Sequence, residues 1–440
     1  MTTATICAIA TPPGRGGVGI IRLSGPASFD LAETLTGFRP RPRQPSLRNV
    51  KDHDGSVIDS ALILGFAGPA SFTGEDVVEF QTHGSPVVLE MIMTRLVDAG
   101  ARRARPGEFS ERAFLNDRLD LAQAEAIADL IAAGTEHAAR AATRSLEGVF
   151  SDRVNDLVEQ LIKLRIHVEA ALDFPDEDVD FLVDGQVEQR LVELTGQLDH
   201  LLEQARAGRL LTDGIRVAII GKPNAGKSSL LNALTQRDTA IVTDVPGTTR
   251  DVLRETVVLA GLPVTLADTA GLRHTDDRIE IEGVRRAERE MQQADLLFWV
   301  VEANETESRP PPGMPEGVPM IRINSKIDLF DLPARRDNRE VSLSAKTGAG
   351  LELLQEAVRE CLNLQTDHQG DFSARQRHID AIDHARQPLQ RGLAELRATG
   401  SGELLAEELK TAADQLAEIT GKISSDELLG RIFSSFCIGK

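Results

Sequence analysis

The sequence predicts three architectures in one chain: an α+β domain at the N-terminus, an all-α domain, and an α/β domain inserted into the all-α one. Three observations carry this. Strand-like and helix-like stretches alternate over residues 4–98. From Leu121 apolar residues recur at three- and four-residue spacing with almost no breakers, and the same pattern returns near the C-terminus. Between these helical stretches, residues 217–234 run from a short apolar strand through a glycine-rich turn into helical spacing. The boundaries that follow are 1–118, 119–213, 214–363 and 364–440, the second and fourth segments being halves of one helical domain.

In chain order, 4–10 and 18–23 read as strands around the turn Pro12-Pro13-Gly14-Arg15-Gly16-Gly17. A short helix follows from Pro26, then a proline- and arginine-rich loop at 39–48. Segments 61–66 and 76–81 read as strands, and 86–98 as a helix. Helical spacing fills 121–133 and 135–172, and Phe174-Pro175-Asp176-Glu177-Asp178 interrupts it. It resumes over 187–206, with Gly208 and Thr212-Asp213-Gly214 expected to close it. After the strand–helix alternation of the third segment, helices return at 374–398 and 404–419.

Composition narrows the partners. With 49 basic and 68 acidic residues the net charge is −19, which disfavours stand-alone nucleic-acid binding, since that rests on neutralising phosphates. Any RNA contact calls for a local patch or a basic partner protein, and Ala101-Arg102-Arg103-Ala104-Arg105 is the best candidate patch. Cys7, Cys361 and Cys437 are too few for a disulfide framework and too dispersed for a local metal site. The histidines show no metal-ligand spacing. No apolar run approaches transmembrane length and no secretory leader is evident, so a cytoplasmic protein without a membrane partner is expected.

The turn after the 217–220 strand is Gly221-Lys222-Pro223-Asn224-Ala225-Gly226-Lys227-Ser228. It fits the phosphate-cradling pattern GxxxxGK[ST], with strand before and helix after. Glycines let backbone N–H groups face a phosphate chain at a helix N-terminus. Lys227 suits the β/γ-phosphates and the Ser228 hydroxyl suits Mg²⁺, with Asn224, Ala225, Gly226 and Ser229 completing the loop. Asp268-Thr269-Ala270-Gly271 follows an apolar strand, an arrangement suited to a water-mediated Mg²⁺ contact and a γ-phosphate. Ser325-Lys326-Ile327-Asp328 and Ser344-Ala345-Lys346 follow two more strands. A carboxylate at Asp328 can accept both guanine N–H groups, which adenine does not offer there, so GTP and GDP are the expected ligands. The ordered set resembles translation-factor-type GTPases. One departure is Ser325, where such proteins carry asparagine; Asn324 stands one place early. Guanine preference is expected to survive through Asp328. Thr243-Asp244-Val245-Pro246-Gly247-Thr248-Thr249 reads as a switch loop offering Thr249 to Mg²⁺. Leu272, after the Asp268 motif, cannot orient water, so the water-orienting group must lie elsewhere.

Several stretches resemble one family. They are ATPPGRGGVGIIRLSG at 10–25, FTGEDVVEFQTHG at 72–84, RPGEFSERAFLNDRLDLAQAEAIADLI at 105–131, and the closing Phe436-Cys437-Ile438-Gly439-Lys440. With GKPNAGKSS and GTTRD they make the chain resemble the MnmE (TrmE) family of bacterial tRNA-modification GTPases over essentially its whole length. The resemblance implies an α+β N-terminal folate-binding domain that dimerises the protein, and a helical domain split around a Ras-like P-loop GTPase domain. It implies a homodimer that joins the FAD- and NADH-using partner MnmG in a heterotetramer. Together they would add a (carboxymethyl)aminomethyl group at C5 of the wobble uridine of certain tRNAs. The carbon would come from 5-formyl- or methylene-tetrahydrofolate.

Arg22, Glu79, Arg118 and Lys440 match the family's folate-site positions, although the family commonly has lysine at the place of Arg118. Arginines suit folate carboxylates, and Glu79 suits pterin N–H groups. Cys437 belongs to the family's C-terminal motif and is a candidate catalytic residue of open chemical role. Of the acids Asp276, Asp277, Glu280 and Glu282, the resemblance to the family's switch II, aligned through Gly283, implies Glu280 as the carboxylate that assists hydrolysis, acting through water. The family pattern implies K⁺ beside the phosphates, with Asn224, Thr243, Val245 and Thr248 as its oxygen donors. The alternative is a ribosome-assembly or signalling GTPase of the Era type. That reading predicts a GxxG-bearing RNA appendage with a basic face, and neither is evident.

Overall fold

The computed structural model describes residues 4–173, 186–237, 254–268, 291–305, 314–315, 317–362, 371–422, 426–436 and 439. The chain divides into two compact units, Met1–Ala128 with Leu416–Lys440, and Asp129–Gln415.

The first unit opens with β1 (Ile6–Ile9), β2 (Gly16–Ser24), α1 (Ser28–Thr36), β3 (Ser46–Lys51), β4 (Val57–Phe66), β5 (Val77–Gly84), α2 (Pro86–Asp98) and the two-residue β6 (Arg102–Arg103). They form a six-stranded sheet in the order β3-β4-β5-β2-β1-β6. β1 is apolar throughout because both its faces are covered. Cys7 joins a core with Ile21, Leu23, Phe80 and Ile92, whereas Ile6 and Ala8 pack with Ala104 and Phe109. Burial pushes the Cys7 thiol up to about 11, despite the nearby Arg103 and Arg102, so it is an inert core thiol. β3 lies inside and beyond the segment expected to be a loop. Alternation is weak there, because an edge strand buries only Val50 fully.

α3 (Glu108–Leu115) and α4 (Leu121–Ala132) follow. Glu108 is 1 % exposed and sits in a carboxylate–arginine network. Arg102 donates to it at 2.5 and 3.0 Å, the Arg105 backbone N–H at 2.8 Å, and Arg112 at 3.2 Å. Arg112 also donates to Glu75 at 2.8 Å and to the Ala4 carbonyl at 3.0 Å, which ties α3 to the start of β1. Burial alone would raise the Glu108 carboxyl, but the donors overcome it and hold it at about 2 against an ordinary 4.5. The folded state therefore favours the ionised form. Its contribution is full above the unfolded value of 4.5 and is lost as pH falls towards 2. Urea titrations across pH should show wild-type stability falling by on the order of 3 kcal/mol over that window. Glu108→Gln should remove this part of the pH dependence, and an unaltered acid profile in that variant would contradict the network.

The second unit contains α5 (Glu136–Leu146), α6 (Val149–Asp173), α7 (Gln186–Asp213), β7 (Ile215–Ile220), α8 (Lys227–Arg237), β8 (Arg254–Leu259), β9 (Leu262–Asp268), β10 (Leu296–Glu302), β11 (Met320–Ser325), β12 (Arg335–Asp337), β13 (Glu340–Ser342), α9 (Leu351–Cys361), α10 (Gln376–Thr399) and α11 (Gly402–Thr420), the last continuing past Gln415. The strands form one seven-stranded sheet, β12-β13-β11-β10-β7-β9-β8. β13, β11, β10, β7 and β9 run parallel; β12 and β8 are antiparallel edges. Chain order leaves β7 on both sides, to β9 and to β10, so the open crevice lies at the carboxyl end of β7.

Two helix boundaries differ from expectation. The expected helix 135–172 is two, because Gly148 at φ 100° turns the chain between α5 and α6. α7 runs on through Gly208 to Asp213 instead of stopping. A β-carbon at Gly208 would stand 2.5 Å from the Phe372 carbonyl, so this glycine serves a close crossing by the 371–375 segment. That crossing is fastened by polar contacts. Ser373 Oγ meets Asp129 and Ser145, and Arg375 Nη2 donates to Asp129 at 2.6 Å. Phe372 stacks on Phe150 with ring centroids 4.5 Å apart.

The chain returns to the first unit as α12 (Asp426–Ser434), an element absent from the sequence reading. Ile432, Phe433 and Phe436 pack with Leu121 and Ala124 of α4. No helix among the described residues is long and apolar enough to cross a membrane.

Candidate functional site

The loop at the end of β7 is built by backbone geometry that glycine and asparagine tolerate. Gly221, Asn224 and Gly226 have φ of 151°, 63° and 98°. α8 then begins at Lys227. The Lys227 ammonium, 9 % exposed, donates to the carbonyls of Gly221 at 2.8 Å and Lys222 at 2.7 Å. These bonds fold its stem back over the loop and place its charge inside the phosphate cradle. Ser228, Ser229 and Asn224 are exposed, and Ala225 is buried. Lys222 pairs with Glu305 at 3.0 Å, a companion that sequence did not reveal because Glu305 lies beyond β10.

The loop after β11 is tied to the same cradle. Ser325, 3 % exposed, places its hydroxyl 2.5 Å from the Ala225 carbonyl and 3.0 Å from that of Val301. The serine is short, yet it reaches the cradle because Gly226 has no side chain; a β-carbon there would meet Ser325 Oγ at 3.3 Å. Asn324 is no displaced substitute. Its amide donates to Glu340 at 2.6 Å and its oxygen accepts from Arg322 at 3.2 Å. Lys326, at φ 62°, pairs with Glu302.

Asp328 is exposed and accepts a 2.6 Å hydrogen bond from Ser344, which is fully buried. The Ser344 hydroxyl in turn accepts from the Thr347 N–H at 3.2 Å. The Ser344 bond lowers the Asp328 carboxyl below the usual carboxylate range, with Lys346 assisting. Asp328 is thus held ionised in one orientation, its second oxygen without a hydrogen-bond partner among the described residues. Ala345 and Lys346 continue the same loop.

The backbone of Asp268 closes β9 opposite Ile219. Of the remaining expectations, Thr243, Asp244, Val245, Pro246, Gly247, Thr248, Thr249, Thr269, Ala270, Gly271 and Glu280 lie outside the described residues, as do Cys437 and Lys440.

A second cluster lies on the first unit's sheet. Arg22 and Glu79 face one another in register across β2 and β5, with Arg22 Nε donating to Glu79 Oε1 at 2.9 Å. Arg22 also lies 5.7 Å from the Phe72 ring and 5.9 Å from that of Phe109. The pair leaves Glu79 Oε2 and the two terminal Arg22 nitrogens without partners among the described residues. Arg118 is exposed beside Gly74, where an added β-carbon would meet its Cγ at 3.3 Å. Gly439 packs on β1, its α-carbon so near that a β-carbon would stand 2.4 Å from the Ile9 carbonyl. Ala8, one residue before Ile9, is the register partner of Arg22. The structure therefore brings Gly439 to the strand that pairs with that of Arg22. Phe72 and Phe109 were missed as neighbours because isolated aromatics carry no spacing signal.

The basic segment 101–105 is neutralised. Arg102 pairs with Glu108, Arg103 with Glu90, and Arg105 with Glu111 at 2.9 Å.

The family profile described as "GTP-binding protein TrmE N-terminus" matches residues 5–118, and "MnmE helical domain" matches residues 121–437. The chain is 51 % identical over 452 residues to the tRNA modification GTPase MnmE of Proteus mirabilis (strain HI4320), covering 100 % of both chains. Among solved structures it is similar to the G domain of the T. maritima FeoB iron transporter, at 26 % identity and a TM-score of 0.24. That match covers 33 % of this chain and 98 % of the other. Aquifex aeolicus Era bound to GDP·AlF4⁻ matches at 23 % identity and a TM-score of 0.26, covering 40 % of this chain and 66 % of the other.

Proposed function

The chain belongs to the MnmE (TrmE) family of tRNA-modification GTPases, and from that premise we propose how its residues divide the work. It is a GTP hydrolase that serves tRNA modification. Its cradle of Asn224, Ala225, Gly226, Lys227, Ser228 and Ser229 holds the phosphates. Asp328, oriented by Ser344, reads the guanine edge, and Ser325 ties that reading loop to the cradle. Ser228 and Thr249 hold Mg²⁺. Glu280 assists hydrolysis through water. Asn224, Thr243, Val245 and Thr248 offer oxygens to K⁺, which supplies positive charge at the phosphates much as an arginine finger does.

Arg22, Glu79 and Arg118, with Cys437 and Lys440 of the tail, receive a reduced folate, the source of a one-carbon unit. The unpartnered atoms of the Arg22–Glu79 pair suit its polar groups, and Gly439 on β1 brings the tail to the same place. The helical domain is split around the GTPase domain, and a homodimer works in the cytoplasm with MnmG. The product is an aminomethyl-type group at C5 of the wobble uridine.

The observation that supports this reading most is the Asp328 loop, its carboxylate held by Ser344 and joined to the cradle through Ser325, in a chain aligned end to end with a tRNA modification GTPase. The test is nucleoside mass spectrometry of tRNA from cells lacking the protein. Loss of the C5 group, restored by the intact gene, is expected; unaltered wobble uridines would end the proposal. For the purified protein, GTP turnover should be several-fold faster in KCl than in NaCl at equal ionic strength. Asn224→Ala should erase the difference, and equal wild-type rates in the two salts would refute the K⁺ site.

A further inference from the structure

We propose that the edge of the six-stranded sheet from Arg41 to Lys51 is an RNA-docking surface whose partner is the phosphate backbone of the RNA substrate. The proposal rests on the reading of the chain as a tRNA-modifying GTPase.

Segment 39–51 holds Arg39, Arg41, Arg43, Arg48 and Lys51 and no carboxylate, in a chain of net charge −19. Arg39 is taken by Asp30 and Glu33. The other four are exposed and form no ion pair among the described residues. This separates them from Arg102, Arg103 and Arg105, each already joined to a carboxylate. A paired arginine must give up its partner before it can take a phosphate. An unpaired one gains the full benefit of releasing counterions from the nucleic acid.

Two of the four side chains, those of Arg43 and Arg48, are also held in place by contacts that leave donors free. The Arg43 N–H donates to the Gly65 carbonyl at 2.8 Å, beside the bridge between Pro42 and Gly65. Its guanidinium donates to the Ala70 carbonyl at 2.9 Å. The Gln44 N–H closes the turn on the Arg41 carbonyl at 3.2 Å. Arg48 lies over the Phe38 ring at 4.1 Å, and one of its nitrogens donates to the Leu47 carbonyl at 3.0 Å. An arginine fixed over a ring keeps its outer face for a base or a phosphate. Ordering these two side chains beforehand lowers the entropy lost on binding.

Charges on an edge strand also discourage pairing with another chain. That role needs charge alone. It does not call for Arg43 to hold a left-handed backbone at φ 60°, a conformation that residues with a β-carbon rarely adopt.

The test uses the full-length protein and transcribed tRNA, with binding read by fluorescence anisotropy across a range of KCl concentrations. The variant carries Arg41→Gln, Arg48→Gln and Lys51→Gln. Its Kd should rise at least about ten-fold, and the slope of log Kd against log salt should fall by about 2. Arg103→Gln, in the neutralised patch, should stay within about two-fold of wild type. GTP turnover without RNA and the melting temperature should be unchanged in both. An unaltered Kd and slope in the triple variant overturns the surface, leaving the tRNA-modification reading to nucleoside mass spectrometry. Unaltered RNA affinity with a changed sedimentation coefficient assigns the edge to a protein partner and likewise overturns it. A wild-type chain without affinity for tRNA overturns it as well.

Discussion

Asp328→Asn is expected to weaken GDP binding at least ~100-fold while leaving the fold intact, two charge-assisted hydrogen bonds being at stake. The reason is geometric. Ser344 Oγ holds one carboxylate oxygen at 2.6 Å, and the carboxyl is lowered below its ordinary range, so the group presents acceptors only. An asparagine presents one acceptor and one donor, and the donor meets a guanine N–H. Xanthine carries a carbonyl in place of the exocyclic amine, so the variant should bind xanthosine diphosphate better than GDP. Ser325→Ala provides the contrast. It removes the hydroxyl between the Ala225 and Val301 carbonyls without touching the base-reading group. Both nucleotides should then weaken together by about ten-fold, one hydrogen bond's worth, with no change of preference. Competition titrations against a fluorescent GDP measure both variants. A Ser325→Ala protein that discriminates less between the two bases would show that the serine reads the base itself.

Gly221→Ala is expected to abolish nucleotide binding and to cost on the order of 3 kcal/mol of stability. Gly221 sits at φ 151°, and a β-carbon on it would stand 2.2 Å from the Val300 carbonyl. Neither partner can retreat. Ile220 is in register with Trp299, and Val300 is in register with Ile323 on the other side of β10. Relief therefore requires parting β7 from β10 at the place where the cradle begins. Gly226→Ala meets only a side-chain hydroxyl at 3.3 Å and a strained φ, so it should bind nucleotide more weakly but measurably. Calorimetry with GDP and thermal unfolding separate the two. A Gly221→Ala protein with wild-type GDP affinity would mean that the approach of β7 to β10 differs from that described.

Local chemistry explains which features were legible. The 86–98 helix is found at those bounds because proline at its first position and the spacing of Leu89, Ile92, Met93 and Leu96 are local signals. The cradle is legible because backbone N–H groups converge on a phosphate only with glycines at fixed spacing. β3 and α12 were not legible. An edge strand buries one residue and so lacks alternation, and a nine-residue helix depends on Phe114 and Leu121 for its apolar partners. Gly208 reads as a stop because glycine signals both helix ends and close crossings, and only the position of Phe372 distinguishes them.

The three architectures, the cradle, the Asp328 loop and the family resemblance are legible without coordinates, since each rests on residue types at short, fixed spacing. Tertiary structure alone decided which charges are available. The arginines of 101–105 look like the basic patch, yet Glu108, Glu90 and Glu111 neutralise them, while those from Arg41 to Arg48 meet only carbonyls and a ring. It also decided that Ser325 reaches a carbonyl a hundred residues earlier, and that Arg22 stands opposite Glu79. The physical reason is the same in each case. An ion pair or hydrogen bond depends on distance and orientation between residues that the chain separates, and sheet register and strand order, not sequence spacing, set that distance.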